Sequence, residues 1–295
     1  MIQINASIAK YQNRIWCSYR TRNLYQFDSL SYIAELNSEF EQVADRRLIL
    51  ENGNTAFEDV RLFQAGKSLY AFYTYFPFDG KGGWNWIYGV GMGKVDVEKG
   101  VIMEQHSLRS FSKRYHEKNW TPYVYDGAIY VITDFDPLLR VIKIGAIGEE
   151  IMPEEVFLSE AKSSKWNYGE IRGGTPLVLN PIDGLLYGFV HSYLPNINGF
   201  KRFYYYTALR FDHLLNSVDV YPNPMSYQDD DADEEYKDLW DISNGCSLKV
   251  IFPIGIISEG DGVMVSFGRD DVCSFTEYFS WSYLMNLFNE NKLNL

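Results

Sequence analysis

Five times along the chain a short polar turn leads into a run of alternating apolar or aromatic and small or polar residues, which then ends in polar residues. The copies are YQNRIWCSYRT (11–21), AGKSLYAFYTYF (65–76), YDGAIYVITDFD (125–136), IDGLLYGFVHSY (182–193) and EGDGVMVSFGRDD (259–271). Glycine or asparagine in the turn, followed by β-branched and aromatic residues, is the pattern of a tight antiparallel hairpin. The turns fall near residues 13, 66, 127, 184 and 261, spaced 53, 61, 57 and 77 residues apart. The long last interval holds DDDADEEYKDLWD (229–241), which reads as an acidic inserted loop at about 228–241. No single hairpin can bury both of its faces, whereas radial stacking of several sheets around one axis buries them all. The pattern therefore predicts an all-β chain, a single five-bladed β-propeller domain over 1–295. Two stacked β-sandwiches are the alternative with the same strand content. A helical pattern emerges only at the end, predicting a short C-terminal helix within 281–295.

In a propeller the inner strands of all blades run beside one axis, so residues at equivalent places in different repeats converge. Arg20, Asp134, His191 and Asp271 all stand where a repeat ends. The segments leading into the hairpins, FEDVRLF (57–63), EKNWTPYVY (117–125) and IRGGTPLVL (171–179), each place a cation ahead of an inner strand. Arg61, Lys118 and Arg172 thus form a basic set, and His191 joins it from the far end of the Arg172 hairpin. Guanidinium forks, an ammonium point charge and an imidazole N–H suit a small oxyanion such as phosphate. Gly173 and Gly174 would let backbone N–H groups approach that anion or a sugar.

Composition narrows the partners. With 46% hydrophobic residues the chain is globular, and its 17% aromatic content, rich in tyrosine, suits sugar recognition. A formal net charge of −12 argues against nucleic acid and anionic membrane surfaces as partners. The start, MIQINASIAK, has no secretory pattern, and no apolar run is long enough for a transmembrane helix. Three scattered cysteines, Cys17, Cys246 and Cys273, read as reduced thiols of a cytoplasmic protein. GVGMGKV (89–95) lacks the spacing of a P-loop. In the acidic segment Glu234 and Trp240 stand where a calcium loop needs glycine and glutamate. HExxH, paired CxxC and Gly-x-Ser-x-Gly are missing, so no metal site and no esterase chemistry is expected.

FEDVR (57–61), EKNWTPY (117–123), RGGTP (172–176) with FVHS (189–192), and FPIGI (252–256) leading to SFGRDD (266–271) follow one another in a specific order. In that order the chain resembles glycoside hydrolase family 130 over roughly residues 13 to 280. That family comprises β-mannoside phosphorylases and some hydrolases, with a related mannosyltransferase branch. The resemblance implies Arg61, Lys118, Arg172 and His191 as phosphate contacts. It implies Arg20, Asp59 and Asp271 around the sugar, where the backbone reading above also sets Gly173 and Gly174. It also implies an inverting reaction in which phosphate attacks the anomeric carbon while one aspartate supplies the leaving oxygen's proton, relayed through a sugar hydroxyl. Val60 stands where the family has proline. The family's catalytic aspartate follows the second-blade strand, where spacing points to Phe76 or Pro77 and the nearest carboxyl is Asp79. Asp134 and Asp136 are the fallback carboxyls. The implied function is a glycoside phosphorylase or sugar-1-phosphate-dependent glycosyltransferase acting on β-mannoside-like glycans. Its partners are an oligosaccharide and inorganic phosphate or a sugar phosphate, with no further cofactor. A hydrolase of the same fold and a non-catalytic glycan-binding propeller are the alternatives. The oligomeric state is open.

Overall fold

The computed structural model describes residues 2–23, 26–75, 89–108, 118–135, 138–148, 153–160, 166–195, 202–225, 250–269 and 273–290. Its strands form five antiparallel sheets, taken in chain order, arranged as a five-bladed β-propeller. The first blade holds β1 (Ile2–Tyr11), β2 (Arg14–Asn23), β3 (Gln26–Leu36) and β4 (Gln42–Arg47). The second holds β5 (Ile49–Leu50), β6 (Phe57–Ala65), β7 (Ser68–Tyr75), β8 (Gly89–Asp96) and β9 (Val101–Ser107), with the short β5 running parallel to β9 at the outer edge. The third is β10 (Thr121–Tyr125), β11 (Ala128–Asp134), β12 (Leu138–Ala146) and β13 (Glu154–Glu160). In the fourth the inner strand is broken into β14 (Arg172–Gly173) and β15 (Val178–Leu179), both pairing with β16 (Leu186–Pro195), followed by β17 (Arg202–Asp212) and β18 (Ser217–Val220). The fifth has three described strands, β19 (Ile251–Glu259), β20 (Gly262–Arg269) and β21 (Cys273–Ser280), and then helix α1 (Trp281–Glu290).

The repeated hairpins of the sequence are the turns between the first two long strands of each blade. Gln12 and Asn13 have φ of 52° and 59°, and Asp126 and Gly127 have 44° and 70°. Two consecutive left-handed residues are the geometry whose twist matches that of the flanking strands. The strands are apolar on both sides because each blade is covered on both faces by its neighbours; all six central residues of β7 are buried. Five apolar clusters result, one between each pair of adjacent blades. Trp16 and Ile33 meet Phe57 and Leu62, Phe72 and Met92 meet Trp120 and Val131, and Ile132 and Val141 meet Leu177 and Leu209. Phe189 meets Val265 and Phe267, a cluster that also takes Trp281, Leu284 and Phe288 of α1.

The fifth cluster closes the ring between the first and last blades and is the smallest among the described residues, built on Ile8, Cys17, Tyr19, Ala34 and Ile257. Among the described residues, no strand from one end of the chain completes a sheet at the other end. Closure instead uses side chains: Ser266 Oγ donates to Ala6 O at 2.6 Å, Ala6 N donates to Ser274 Oγ at 3.2 Å, and Lys10 pairs with Glu259 at 2.5 Å. A cavity of about 350 Å³ lies at this seam, bordered by Tyr19 and Phe40 on one side and Ser274 and Phe275 on the other.

Candidate functional site

Inner strands lose regular pairing at the same level in several blades. Register shifts interrupt β1 between Ile4 and Ser7, β6 between Glu58 and Arg61, and β19 between Pro253 and Gly255. At that level Asn5, Asp59 and Asn119 have left-handed backbones, with φ of 56°, 53° and 64°. Asparagine and aspartate tolerate this region better than other side chains, and non-glycine residues held there concentrate at functional sites. A bulge re-aims the side chain beside it. All three side chains border one cavity of about 130 Å³, together with Arg20, Lys118, Arg172, His191, Tyr193, Tyr204, Val250 and Phe252. Every blade contributes to this lining.

The electrostatics of the cavity centre on Asp59. Its Oδ1 accepts a hydrogen bond from Asn5 Nδ2 at 3.1 Å. Arg20 Nε lies 3.9 Å from Oδ1, and Lys118 Nζ lies 3.9 Å from Oδ2. Burial pushes the Asp59 carboxyl up, but Arg20, Lys118 and Arg61 outweigh it and hold the group below the usual aspartate value. Arg20 also donates from Nη1 to Glu58 Oε2 at 2.7 Å. Arg172 Nη2 is 3.4 Å from Glu170 Oε2, and its guanidinium lies over the Tyr193 ring with Cζ 4.9 Å from the centroid.

Arg172 and His191 are direct register partners across β14 and β16. The β15–β16 register, Val178 with Tyr187, would have set Arg172 opposite Tyr193, and the break in the inner strand moves it onto His191. His191 is 3% exposed, and its Nδ1 has no hydrogen-bond partner. The ring packs edge-on against Phe252 at 4.5 Å between centroids and stacks at 6.2 Å on Tyr204. Burial, then Arg61, Arg172 and Lys118, drive its proton affinity well below the ordinary 6.5, so the imidazole is neutral. In the Nδ1–H tautomer this buried nitrogen, beside three cations, can donate to an anionic oxygen.

Other residues expected at the site stand elsewhere. Arg61 lies beneath the cavity rather than along it, 2% exposed. Its Nε donates to Gly174 O at 2.6 Å, Nη1 to Asp59 O at 3.0 Å and Nη2 to Asn119 Oδ1 at 2.9 Å. Those three bonds tie together blades two, three and four, and the guanidinium reaches the cavity only as charge. Burial pulls it down to about 10 against the opposing pull of Asp59, which leaves it cationic at neutral pH. Gly173 and Gly174 also lie off the cavity lining. A Cβ on Gly173 would come within 2.1 Å of Asn119 O, and one on Gly174 within 2.4 Å of Phe189 O, so close packing of backbone accounts for both glycines. Asp134 follows a register shift in β11, opposite Arg140, and accepts from Thr133 Oγ1 at 3.0 Å; it does not border the cavity. Asp79, Asp136, Asp271 and the acidic loop at 228–241 lie outside the described residues.

The sequence reading missed Asn5, Asn119, Tyr193, Tyr204 and Phe252. A signal for the first two was present, since Asn5, Asp59 and Asn119 each stand seven or eight residues ahead of their hairpin turn. Among the described residues, no group of three or more histidine, cysteine or acidic side chains is placed to hold a metal ion.

No protein-family model and no curated protein matches the chain. Solved structures do share its fold. A β-1,2-mannobiose phosphorylase from Listeria innocua, in complex with β-1,2-mannobiose, superposes with a TM-score of 0.60 at 11% identity, covering 98% of this chain and 92% of that one. A glycoside hydrolase of the GH130 mannoside phosphorylase family, one that targets β-1,2 mannosidic linkages in Candida mannan, superposes at 0.60 and 11% identity, covering 95% and 85%. MPT-1, a GDP-Man-dependent mannosyltransferase from Leishmania mexicana, superposes at 0.57 and 12% identity, covering 95% and 86%.

Proposed function

We propose that this protein is a carbohydrate-active enzyme that makes or breaks a β-mannoside-like bond, with inorganic phosphate or a sugar-1-phosphate as the second reactant. The observation that carries this reading is the convergence of Arg20, Lys118, Arg172 and the unpartnered His191 Nδ1 around one carboxylate, in one cavity on the axis. Lys118, Arg172 and His191 hold the phosphoryl oxygens, and the buried Arg61 adds charge from below. Arg20, with the Tyr193 and Tyr204 rings, positions the sugar. Structures of the same fold that act on mannosides, among them a mannobiose phosphorylase, support the sugar class.

In the phosphorolytic direction a phosphate oxygen attacks the anomeric carbon as the bond to the leaving oxygen breaks on the opposite face. The leaving oxygen then takes a proton. We assign the proton step to Asp59 in place of Asp79, because it is the carboxylate that borders the cavity among the described residues. A single carboxyl suffices because phosphate is already a nucleophile, whereas inverting hydrolysis needs a second carboxylate to activate water. The basic residues gathered around Asp59 favour phosphorolysis over hydrolysis here. We place the reaction in the cytoplasm, where a buried thiol such as that of Cys17 stays reduced.

The test is incubation with mannose-1-phosphate and a panel of mannosyl acceptors, following released phosphate and lengthened oligosaccharides. Arg172→Ala combined with His191→Ala should lower the rate by about 100-fold or more, as expected for two lost contacts to a charged group. Undiminished activity in that double variant would remove the phosphate site from the reading.

A further inference from the structure

Two of the cations that hold Asp59 ionised, Arg20 and Lys118, border the cavity, Lys118 belongs to the proposed anion site, and the hold of both on the carboxylate is loose. Arg20 Nε and Lys118 Nζ both stand at 3.9 Å, beyond direct hydrogen bonding, so neither is committed to Asp59. The hydrogen bond from Asn5 Nδ2 to Oδ1 persists whichever way those cations turn. The titratable and charged groups around this carboxylate come from four blades: Arg20 from β2, with Glu58 of β6 bonded to it, Arg61 from β6, Lys118 ahead of β10, Arg172 from β14, His191 and Tyr193 from β16, and Tyr204 from β17.

Resting on the anion site proposed above, we infer that seating a phosphoryl anion among Lys118, Arg172 and His191 draws a proton from solvent onto Asp59. The carboxyl thereby becomes an acid only once the second reactant is in place. The physical reason is a reversal of balance. Burial is the largest influence on Asp59 and favours its neutral form; Arg20, Lys118 and Arg61 together override it. An anion spends the field of those cations on its own oxygens, and burial beside a new negative charge then favours Asp59 as COOH. One proton passes from hydronium or buffer acid to Asp59 Oδ2, and it is the proton later delivered to the leaving oxygen. His191, whose environment disfavours a charge by burial first and cations second, keeps its neutral ring and offers Nδ1 to the anion.

Sulfate is the probe, because it is a tetrahedral dianion that does not titrate near neutrality. Calorimetric titration of the full chain with sulfate, in buffers of equal pH but different ionisation enthalpy, counts protons taken up per anion bound. Uptake should lie between zero and one and grow as pH falls from 7.5 to 5. Sulfate affinity should rise by as much as about tenfold per pH unit over the same range, the limit for one linked proton. Asp59→Asn should bind sulfate with no uptake and a flat pH dependence. Binding without proton uptake at any of these pH values overturns the inference and leaves the anion site standing. Uptake that survives Asp59→Asn and disappears in His191→Gln moves the proton to the imidazole and overturns it as well. Failure of both sulfate and phosphate to bind overturns the anion site itself.

Discussion

His191 and Arg61 show how much a single residue's role depends on what surrounds it. His191 is buried as a neutral ring whose folded-state proton affinity lies well below the ordinary 6.5. The unfolded chain therefore binds a proton that the folded chain does not. Stability from this group is complete above about pH 6.5 and is lost as pH falls below it, by up to about 1.4 kcal/mol per pH unit. Urea denaturation at pH 7 and pH 5 should show this loss in the native chain and a smaller one in His191→Phe, which cannot titrate. Arg61→Leu strands three acceptors, Gly174 O, Asp59 O and Asn119 Oδ1, and should cost about 3–5 kcal/mol in the same assay. That Arg172 and His191 come to the same end of one hairpin was legible in the sequence, whereas their direct pairing was not, because the register changes at the break between β14 and β15. The burial of Arg61 was not legible, since a string of residues does not say which side of a bulge faces the axis. Asp134 shows the same limit: it ends its repeat as His191 does, but a register shift in β11 intervenes and it does not border the cavity.

Among the elements, the inner strands do the positioning, and they do it where they stop being regular strands. Bulges in β1 and β6, the break between β14 and β15, and the left-handed Asn5, Asp59 and Asn119 all fall at the level of the cavity. The strand periods that made five blades readable carry no trace of these interruptions, because a bulge adds one residue without changing composition. Gly173 sits where blade four meets blade three, with Asn119 O in the space a side chain would need. Gly173→Ala should cost about 1–3 kcal/mol by overpacking, and more if Asn119 cannot yield. Because Asn119 borders the cavity, the same variant should also weaken anion binding, which calorimetry with phosphate would register. Helix α1 is the element the sequence placed most directly. Its Trp281, Leu284 and Phe288 cover the Tyr187 and Phe279 side of the last blades, where the fifth blade has three described strands rather than four.

For the whole molecule, repeat spacing made the five-bladed ring legible, while its method of closure was hidden, because that depends on residues some 260 positions apart such as Ala6 and Ser266. The seam between the first and last blades combines the smallest interblade cluster with a cavity of about 350 Å³. Loosely packed regions with few buried apolar contacts open at lower free energy than the rest of a fold. Hydrogen exchange should therefore report faster opening in β1 and β19–β21 than in β7 and β11, where clusters are dense on both faces. Uniform protection around the ring would contradict this. The cavity on the axis takes residues from both sides of the seam, Asn5 and Arg20 from the first blade and Val250 and Phe252 from the last. A ligand held there spans the joint like a keystone in an arch, bearing on all five voussoirs at once. Slack at the seam would then appear as weakened grip at the centre, and a substitution far out between the end blades would be felt by a molecule it never touches.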